Sequence, residues 1–381
     1  MSHTSDFVVV GGGVFGVWIA WFLRQRKYTV TLVDAYGAGN SRSSSGDESR
    51  VIRMAYGADA LYTRWAAHSL RLWQELFARV GVSLFVNTGM LWLAADGDVS
   101  AKQSVGVLSE EGVEHEVISE RQIAERFPQF SLDDVKFGIF EPNSGILMAR
   151  RSVVAVLDDA VRQGVQYRID AISPPAPAAF SELKTAHGET LSAGAYIFAC
   201  GAWLNKLFPE LLSTRLFPTR QAVFYFGTPA GHAEFQVPRM PTWLHRCDDM
   251  YGMPDIENRG IKLANDLHGP PVDPDSENRL VSQAEELQAR NYLRRRLPAL
   301  KDAPVLETRI CQYENTWNGD FLLDRHPEWN NVWLAGGGSG HGYKHGPAIG
   351  DYLSKQILQE APPEPRFSLA SKKEIQQRAI F

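Results

Sequence analysis

The stretch Asp6-Phe7-Val8-Val9-Val10-Gly11-Gly12-Gly13-Val14-Phe15-Gly16 decides how this chain is read. A short apolar run of strand-forming residues stops at three glycines, and residues 17–26 then carry an apolar face at helical spacing. Residues 28–34 read as a second strand ending on Asp34. Strand, glycine turn, helix and strand within about 30 residues form a βαβ unit, whose parallel strands need cover on both faces of the sheet.

The glycines have separate tasks. Gly11 permits the tight turn, Gly13 lets the backbone approach a pyrophosphate, and Gly16 lets the helix pack on the strand. With Val14 and Phe15 they lead into a helix N-terminus that stabilises an anion, and Asp34 is placed to accept from a ribose hydroxyl. A plain strand-to-helix turn needs no terminal acid; with strand, helix and acid all present, a bound dinucleotide is expected. The motif alone does not choose between FAD and NAD.

Outside this unit, 381 residues that are 44% hydrophobic and 22% charged exclude disorder and leave room for two domains. A net charge of −5 gives no general attraction to nucleic acid or to an anionic membrane. Cys200, Cys247 and Cys311 are too few and too scattered for a disulfide framework or a paired-cysteine zinc site, so no metal is expected. No run approaches a secretory core or the roughly 18 apolar residues of a bilayer span. Residues 379–381 are not a peroxisomal tripeptide, so a cytoplasmic protein is expected.

Residues 62–80 suit an amphipathic helix with Trp65, Leu70, Leu72, Trp73, Leu76 and Phe77 in the core. From residue 82 the pattern changes to short apolar runs, such as 89–93 and 136–140, that open a second domain. A helix at 152–162, a strand at 195–200 and a turn at Gly201 return the chain to the first domain. Strand-like pieces at 217–227, 250–254 and 260–263 and an Arg-rich helix at 284–297 belong to the second. A strand at 332–335, a glycine loop at 336–342 and a helix at 346–358 close the first, and Pro174, Pro175 and Pro177 mark an exposed loop. The expected fold is α/β. A Rossmann-like dinucleotide domain with a parallel sheet comprises 1–82, 146–216 and 305–381; a substrate domain on a mainly antiparallel sheet comprises 83–145 and 217–304.

Six separated blocks resemble the monomeric sarcosine oxidase group of the D-amino-acid-oxidase-like FAD enzymes. They are the glycine turn with Asp34; residues 43–57, read as serines followed by RxxRxxYG; and Ala199-Cys200-Gly201-Ala202-Trp203. The others are Tyr251-Gly252 with Gly260-Ile261-Lys262-Leu263; Cys311-Gln312-Tyr313 with residues 321–327; and the glycine-rich segment 336–344. The resemblance implies FAD, with Cys311 as a covalent attachment point through an 8α-S-cysteinyl bond. It implies cofactor contacts from Ser43, Ser44, Ser45, Arg50, Cys200, Gly201, Trp203, Gly337, Gly338, Gly340, His341, Gly342 and Lys344.

A flavin must carry the chemistry here, because no side chain serves as an electron sink for oxidation of a carbon–nitrogen bond. The resemblance assigns Arg53 and Lys344 to a substrate carboxylate, which a guanidinium fork and an ammonium suit. It assigns Lys262 to oxygen activation, and Arg50 could place positive charge near the flavin. Tyr251 and Tyr313 match positions near the substrate, though tyrosine is as often a core residue, and His341 reads as fixing its loop. Peptide N–H groups at 337–340 could stabilise negative charge on a reduced flavin.

Two positions depart from the group. Ser45 stands where the sarcosine oxidases have a histidine over the flavin, and Asp266 replaces a histidine four residues after Lys262. An acid at that place argues for a bulkier or more cationic substrate than sarcosine. The expected activity is oxidation of a small secondary amine or amino acid by a monomer, with dioxygen reduced to hydrogen peroxide. A dehydrogenase passing electrons to a quinone or a protein is the alternative of the same fold, and a non-catalytic dinucleotide-binding protein the alternative of another class.

Overall fold

The computed structural model describes residues 5–175 and 182–373; Pro177 and residues 378–381 lie outside the described residues. β1 (Ser5–Val10), α1 (Val14–Gln25) and β2 (Val30–Asp34) form the expected βαβ unit. β1 lies in parallel between β2 and Ala193–Phe198. Val332–Gly336 extends the sheet in parallel beyond Ala193–Phe198, Gln166–Ile169 extends it beyond β2, and Leu322–Arg325 closes one edge antiparallel. Val8 and Val9 have no exposed surface, which is why β1 reads as an unbroken apolar run rather than an alternating one.

α1 is apolar on most of its circumference because it is covered on several sides. It packs between Ala149–Arg162 and Gly346–Ile357, burying Val17, Trp18, Ile19, Ala20 and Leu23. The Trp18 ring meets Trp73 edge-on at 5.0 Å. Trp73 belongs to the helix Ala60–Val80, which starts where Asp59 accepts from Tyr62 N and stops at left-handed Gly81. Each buried indole contributes on the order of 2–3 kcal/mol of transfer free energy.

The second sheet has eight strands. Its order is Val305–Thr316, Leu216–Phe226, Ile261–Asn265, Met250–Met253, Thr242–His245, Met90–Ala94, Phe137–Glu141 and Glu116–Ser119. All neighbours are antiparallel except Thr242–His245 with Met90–Ala94. A three-stranded sheet of Arg50–Ile52, Gly145–Leu147 and Phe85–Asn87 joins the two parts. The Arg-rich helix runs Gln283–Arg296, with Ser282 and Glu285 forming a capping box.

The strand Val305–Thr316, expected with the dinucleotide domain from 305 onward, pairs along its length with Leu216–Phe226 in the larger sheet. Eleven paired residues outweigh any local preference, so this segment joins the larger sheet and lays Cys311 and Tyr313 along the join. The expected boundaries near 83 and 146 likewise fall inside the small joining sheet, because Phe85–Asn87 pairs with Gly145–Leu147. No described helix is long and apolar enough to cross a membrane.

Candidate active site

The carboxyl ends of the parallel strands open on an elongated cavity of about 370 Å³. In open α/β sheets this end is where ligands bind. Val10, Asp34 and the 199–201 turn line one end, while Arg50, Cys311, Tyr313 and Gly340 line the other.

At the first end the turn does what its sequence implies. Gly11 has φ +106°, and a Cβ there would lie 2.2 Å from Ala199 O; a Cβ on Gly16 would lie 1.8 Å from Gly11 O. Gly13 faces the cavity, with only Ser45 Oγ at 3.6 Å from the position of a Cβ. It occupies the N-cap of α1 without a side-chain cap of its own; Val14 N donates to Ser45 Oγ, and the remaining first-turn N–H groups suit an anion. Asp34 is aimed by two backbone donors, Gly12 N at 2.7 Å and Tyr36 N at 2.8 Å, and each carboxylate oxygen retains a lone pair for a ribose hydroxyl. Trp203 lies at this end with its indole donating to Asp275 at 2.7 Å, and the Cys200 thiol, pushed up by burial, points at Val10 O.

At the second end three charges converge. Arg50 Nη1 and Lys262 Nζ each lie 2.5 Å from Asp47 Oδ2, and Tyr225 donates to the other oxygen at 3.0 Å. Burial alone would raise Asp47, but Lys262 and Arg50 hold its carboxyl well below the usual carboxylate range. Burial pulls the Lys262 ammonium down to about 8 against the opposing attraction of Asp47. Arg50 Nη2 donates to Ser44 O at 2.8 Å and to Cys311 Sγ at 3.0 Å, so one guanidinium joins the serine loop, the acid and the thiol.

Behind the glycine loop lies a second cationic group. Lys344 Nζ donates to Tyr56 OH at 2.7 Å and to His341 O at 3.3 Å, and makes no ion pair with a described carboxylate. Burial, then the charge of Arg53, drives this ammonium well below its usual value. Arg53 is buried, donates to Ala55 O, and places its guanidinium 4.8 Å from the Tyr56 ring centre. Tyr56 OH is also 2.8 Å from His345 Nε2.

Among the expected cofactor contacts, Ser43, Ser44, Gly201, Gly338 and Gly342 line the cavity, whereas Gly16, Gly337, His341 and Lys344 stand behind its wall. His341 holds its loop, bonding Gly319 O at 3.0 Å and stacking on Phe321. Ser45 accepts from Val14 N at 3.1 Å and so ties the serine loop to the start of α1. Tyr313 packs under Gly340, where a Cβ would lie 2.7 Å from its ring, and Tyr251 and Asp266 both act electrostatically on it. Asp266 follows the strand that carries Lys262 and donates its backbone N–H to Asp249 O at 2.7 Å.

The sequence reading gave no role to Asp47, Tyr56, Gln312 or Glu314. Asp47 could have been found by asking what neutralises a lysine in an apolar strand. The other three carry no such signal, since their partners come from remote segments. Asp134, His245 and Cys247 also approach one another, but Arg295 and Arg296 already hold both oxygens of Asp134.

The donor set suits FAD. A diphosphate fits the helix N-terminus, a ribose fits Asp34, and Gln312 and Glu314 bring buried polar atoms that no described group satisfies to the wall between the two ends. The chain is 29% identical to the human peroxisomal sarcosine oxidase over 94% of its own length and 93% of that protein's. It is 29% identical to a monomeric sarcosine oxidase of Bacillus sp. (strain B-0618), covering 94% and 93%. Among solved structures, L-proline dehydrogenase from P. horikoshii superposes with a TM-score of 0.85 at 21% identity, over 99% of this chain and all of that one. The sequence profile of the FAD-dependent oxidoreductase family spans residues 6–356, which carry both sheets and every wall of the cavity, and the chain belongs to that family.

Proposed function

We propose that this protein oxidises a carbon–nitrogen bond of a small secondary amine or amino acid that carries a carboxylate, with dioxygen as electron acceptor and hydrogen peroxide as product. The observation that carries the reading is Lys344, a buried ammonium bonded only to neutral acceptors, set beside Arg53. Asp266 and Glu141 attract this ammonium only from beyond ion-pair distance; a buried cation without a close counter-ion is costly, and a substrate carboxylate would supply one. FAD, when bound, accepts the two electrons of the C–N oxidation and passes them on.

The remaining roles follow from position. Arg53 and Lys344 hold the carboxylate, and Tyr56 orients Lys344 through its 2.7 Å contact. Tyr251 and Tyr313 wall the substrate, and Asp266 adds a negative charge that favours a substrate with a second cationic group. Lys262 provides positive charge where oxygen is reduced. Arg50 donates to Cys311 Sγ at 3.0 Å and so holds in place the sulfur that would carry a thioether to the flavin 8α carbon.

Anaerobic mixing of the purified yellow protein with N-methyl and cyclic amino acids, followed by admission of air, tests this. Bleaching by at least one carboxylate-bearing amine and peroxide formation in air are expected. Bleaching by decarboxylated analogues with equal efficiency would remove the carboxylate reading, and slow return of colour in air would favour the dehydrogenase.

A further inference from the structure

The strand Val305–Thr316 passes the cavity with two faces. Cys311 and Tyr313 occupy one; Gln312 and Glu314 occupy the other, two residues apart and therefore on the same side of the strand. Gln312 is 1% exposed, yet its Oε1 and Nε2 have no hydrogen-bond partner among the described residues. Glu314 is 6% exposed; its Oε2 accepts from Gly337 N at 2.8 Å, while its buried Oε1 has no partner.

The seat of Glu314 is built for it. A Cβ on Gly336 would lie 2.6 Å from Oε1, so only glycine leaves room at the end of the Val332–Gly336 strand. Burial pushes the carboxyl up to about 8; the Gly337 and Gly338 peptides oppose this only in part, and no cation takes part. The titratable group facing it is the Cys200 thiol, itself pushed up by burial, with Asp34 beyond it. Burial thus favours the protonated acid, which has a proton to donate. An unsatisfied buried amide and acid are each unfavourable by an amount comparable to a lost hydrogen bond. Both line the cavity; Glu314 acts on Cys200 at its Asp34 end, and the two flank Tyr313 at its Arg50 end.

We propose that Gln312 and Glu314 form a hydrogen-bonding grip on the polyol segment joining the flavin ring to the diphosphate, separate from the glycine turn and from Asp34. The inference rests on FAD occupying this cavity. A chain of hydroxyls offers donors and acceptors in alternation, which an amide and a protonated acid match; an ionised carboxylate there would face a diphosphate at close range. Glu314 thus makes cofactor binding depend on its proton.

The test is FAD affinity, read by quenching of FAD fluorescence in full-length protein carrying Cys311→Ser, so that binding stays reversible. Glu314→Ala and Gln312→Ala are each expected to weaken binding roughly 5- to 100-fold, the range for a buried partner left unsatisfied. Glu314→Gln, which keeps an acceptor for Gly337 N and a donor toward the ligand, is expected to bind as the parent does at pH 7. The parent's affinity should fall by about tenfold per pH unit above the ionisation of Glu314, and that fall should be absent in Glu314→Gln. Parent-like affinity in Glu314→Ala, or an unchanged pH profile in Glu314→Gln, would overturn the proposal. Should Glu314→Ala not fold, the Gln312→Ala affinity and the Glu314→Gln profile decide. A parent that binds no FAD would remove the cofactor assignment and this inference with it, whereas FAD binding without amine turnover would leave this inference standing and remove only the proposed activity.

Discussion

Lys262 Nζ lies 2.5 Å from Asp47 Oδ2, with the two side chains 2% and 4% exposed. The pair joins the larger sheet to the serine loop that follows β2, and Arg50 adds a second cation to the same oxygen. One carboxylate thus serves two buried cations, and the cluster carries net positive charge toward the cavity.

Removing that carboxylate leaves both cations uncompensated. Asp47→Asn is expected to lower unfolding stability by about 3–5 kcal/mol, the range for breaking a buried pair from one side. Urea denaturation of the variant beside Lys262→Met measures this. Lys262→Met, which removes the cation with its desolvation penalty, is expected to be the more stable of the two and to slow reoxidation in air by roughly 10²- to 10³-fold. The parent's reoxidation should fall as pH rises through about 8, where Lys262 loses its proton, and Lys262→Met should lack that limb.

The Arg53 and Lys344 pair predicts a substrate-dependent loss. Charge-assisted hydrogen bonds contribute about 1.5–3 kcal/mol each, so Lys344→Met and Arg53→Met should each lower kcat/KM for amino acids roughly 10- to 100-fold. Amines without a carboxylate should be spared. The folded-state ammonium of Lys344 lies below its ordinary value, so its contribution is present at low pH and is lost as pH rises through that lowered value. In the parent the alkaline fall in kcat/KM should therefore come earlier than an ordinary lysine would give, and Lys344→Met should not show it.

How far the sequence reaches is visible in these same groups. The βαβ unit was legible because its strands, turn and helix are contiguous and each obeys a local rule: buried valines, Gly11 at positive φ, and Asp34 at a strand end. The pairing of 305–316 is not legible in the sequence because its partner, Leu216–Phe226, lies some ninety residues away, and pairing at that distance leaves no periodic mark. Lys262 and Arg50 could be named from motifs, but Asp47 could not, since its task appears only when the strand Ile261–Asn265 meets the serine loop. Glu314 reads as an ordinary polar residue in a strand until the glycine loop closes over it.

Asp266 predicts specificity rather than rate. Its carboxylate acts on Tyr56, Tyr251, Tyr313 and Lys344, so it stands beside the proposed substrate pocket. Asp266→Asn should lower kcat/KM for substrates with a second cationic group by about fivefold, an ion pair of roughly 1 kcal/mol. Neutral N-methyl amino acids should gain or stay level. Competition between a cationic and a neutral substrate of equal length measures the ratio directly; an unchanged ratio would place Asp266 outside the pocket.

The contact between Arg50 and Cys311 predicts the state of the flavin. Arg50 Nη2 donates to Sγ at 3.0 Å, and the thiolate, not the thiol, is the nucleophile that a thioether requires. Trichloroacetic acid precipitation of the parent should leave the yellow colour in the pellet, and Cys311→Ser should release it to the supernatant. Arg50→Lys keeps a positive charge but gives up the guanidinium fork that reaches Asp47, Ser44 and Cys311 together, so pellet and supernatant should share the colour soon after FAD is added. With time the pellet fraction should rise toward that of the parent, because the thiol is present and only its activation is weakened. If Arg50→Lys attaches flavin at the parent's rate, the arginine positions Asp47 and takes no part in activating the thiol; if Cys311→Ser still carries colour into the pellet, another residue is the attachment point.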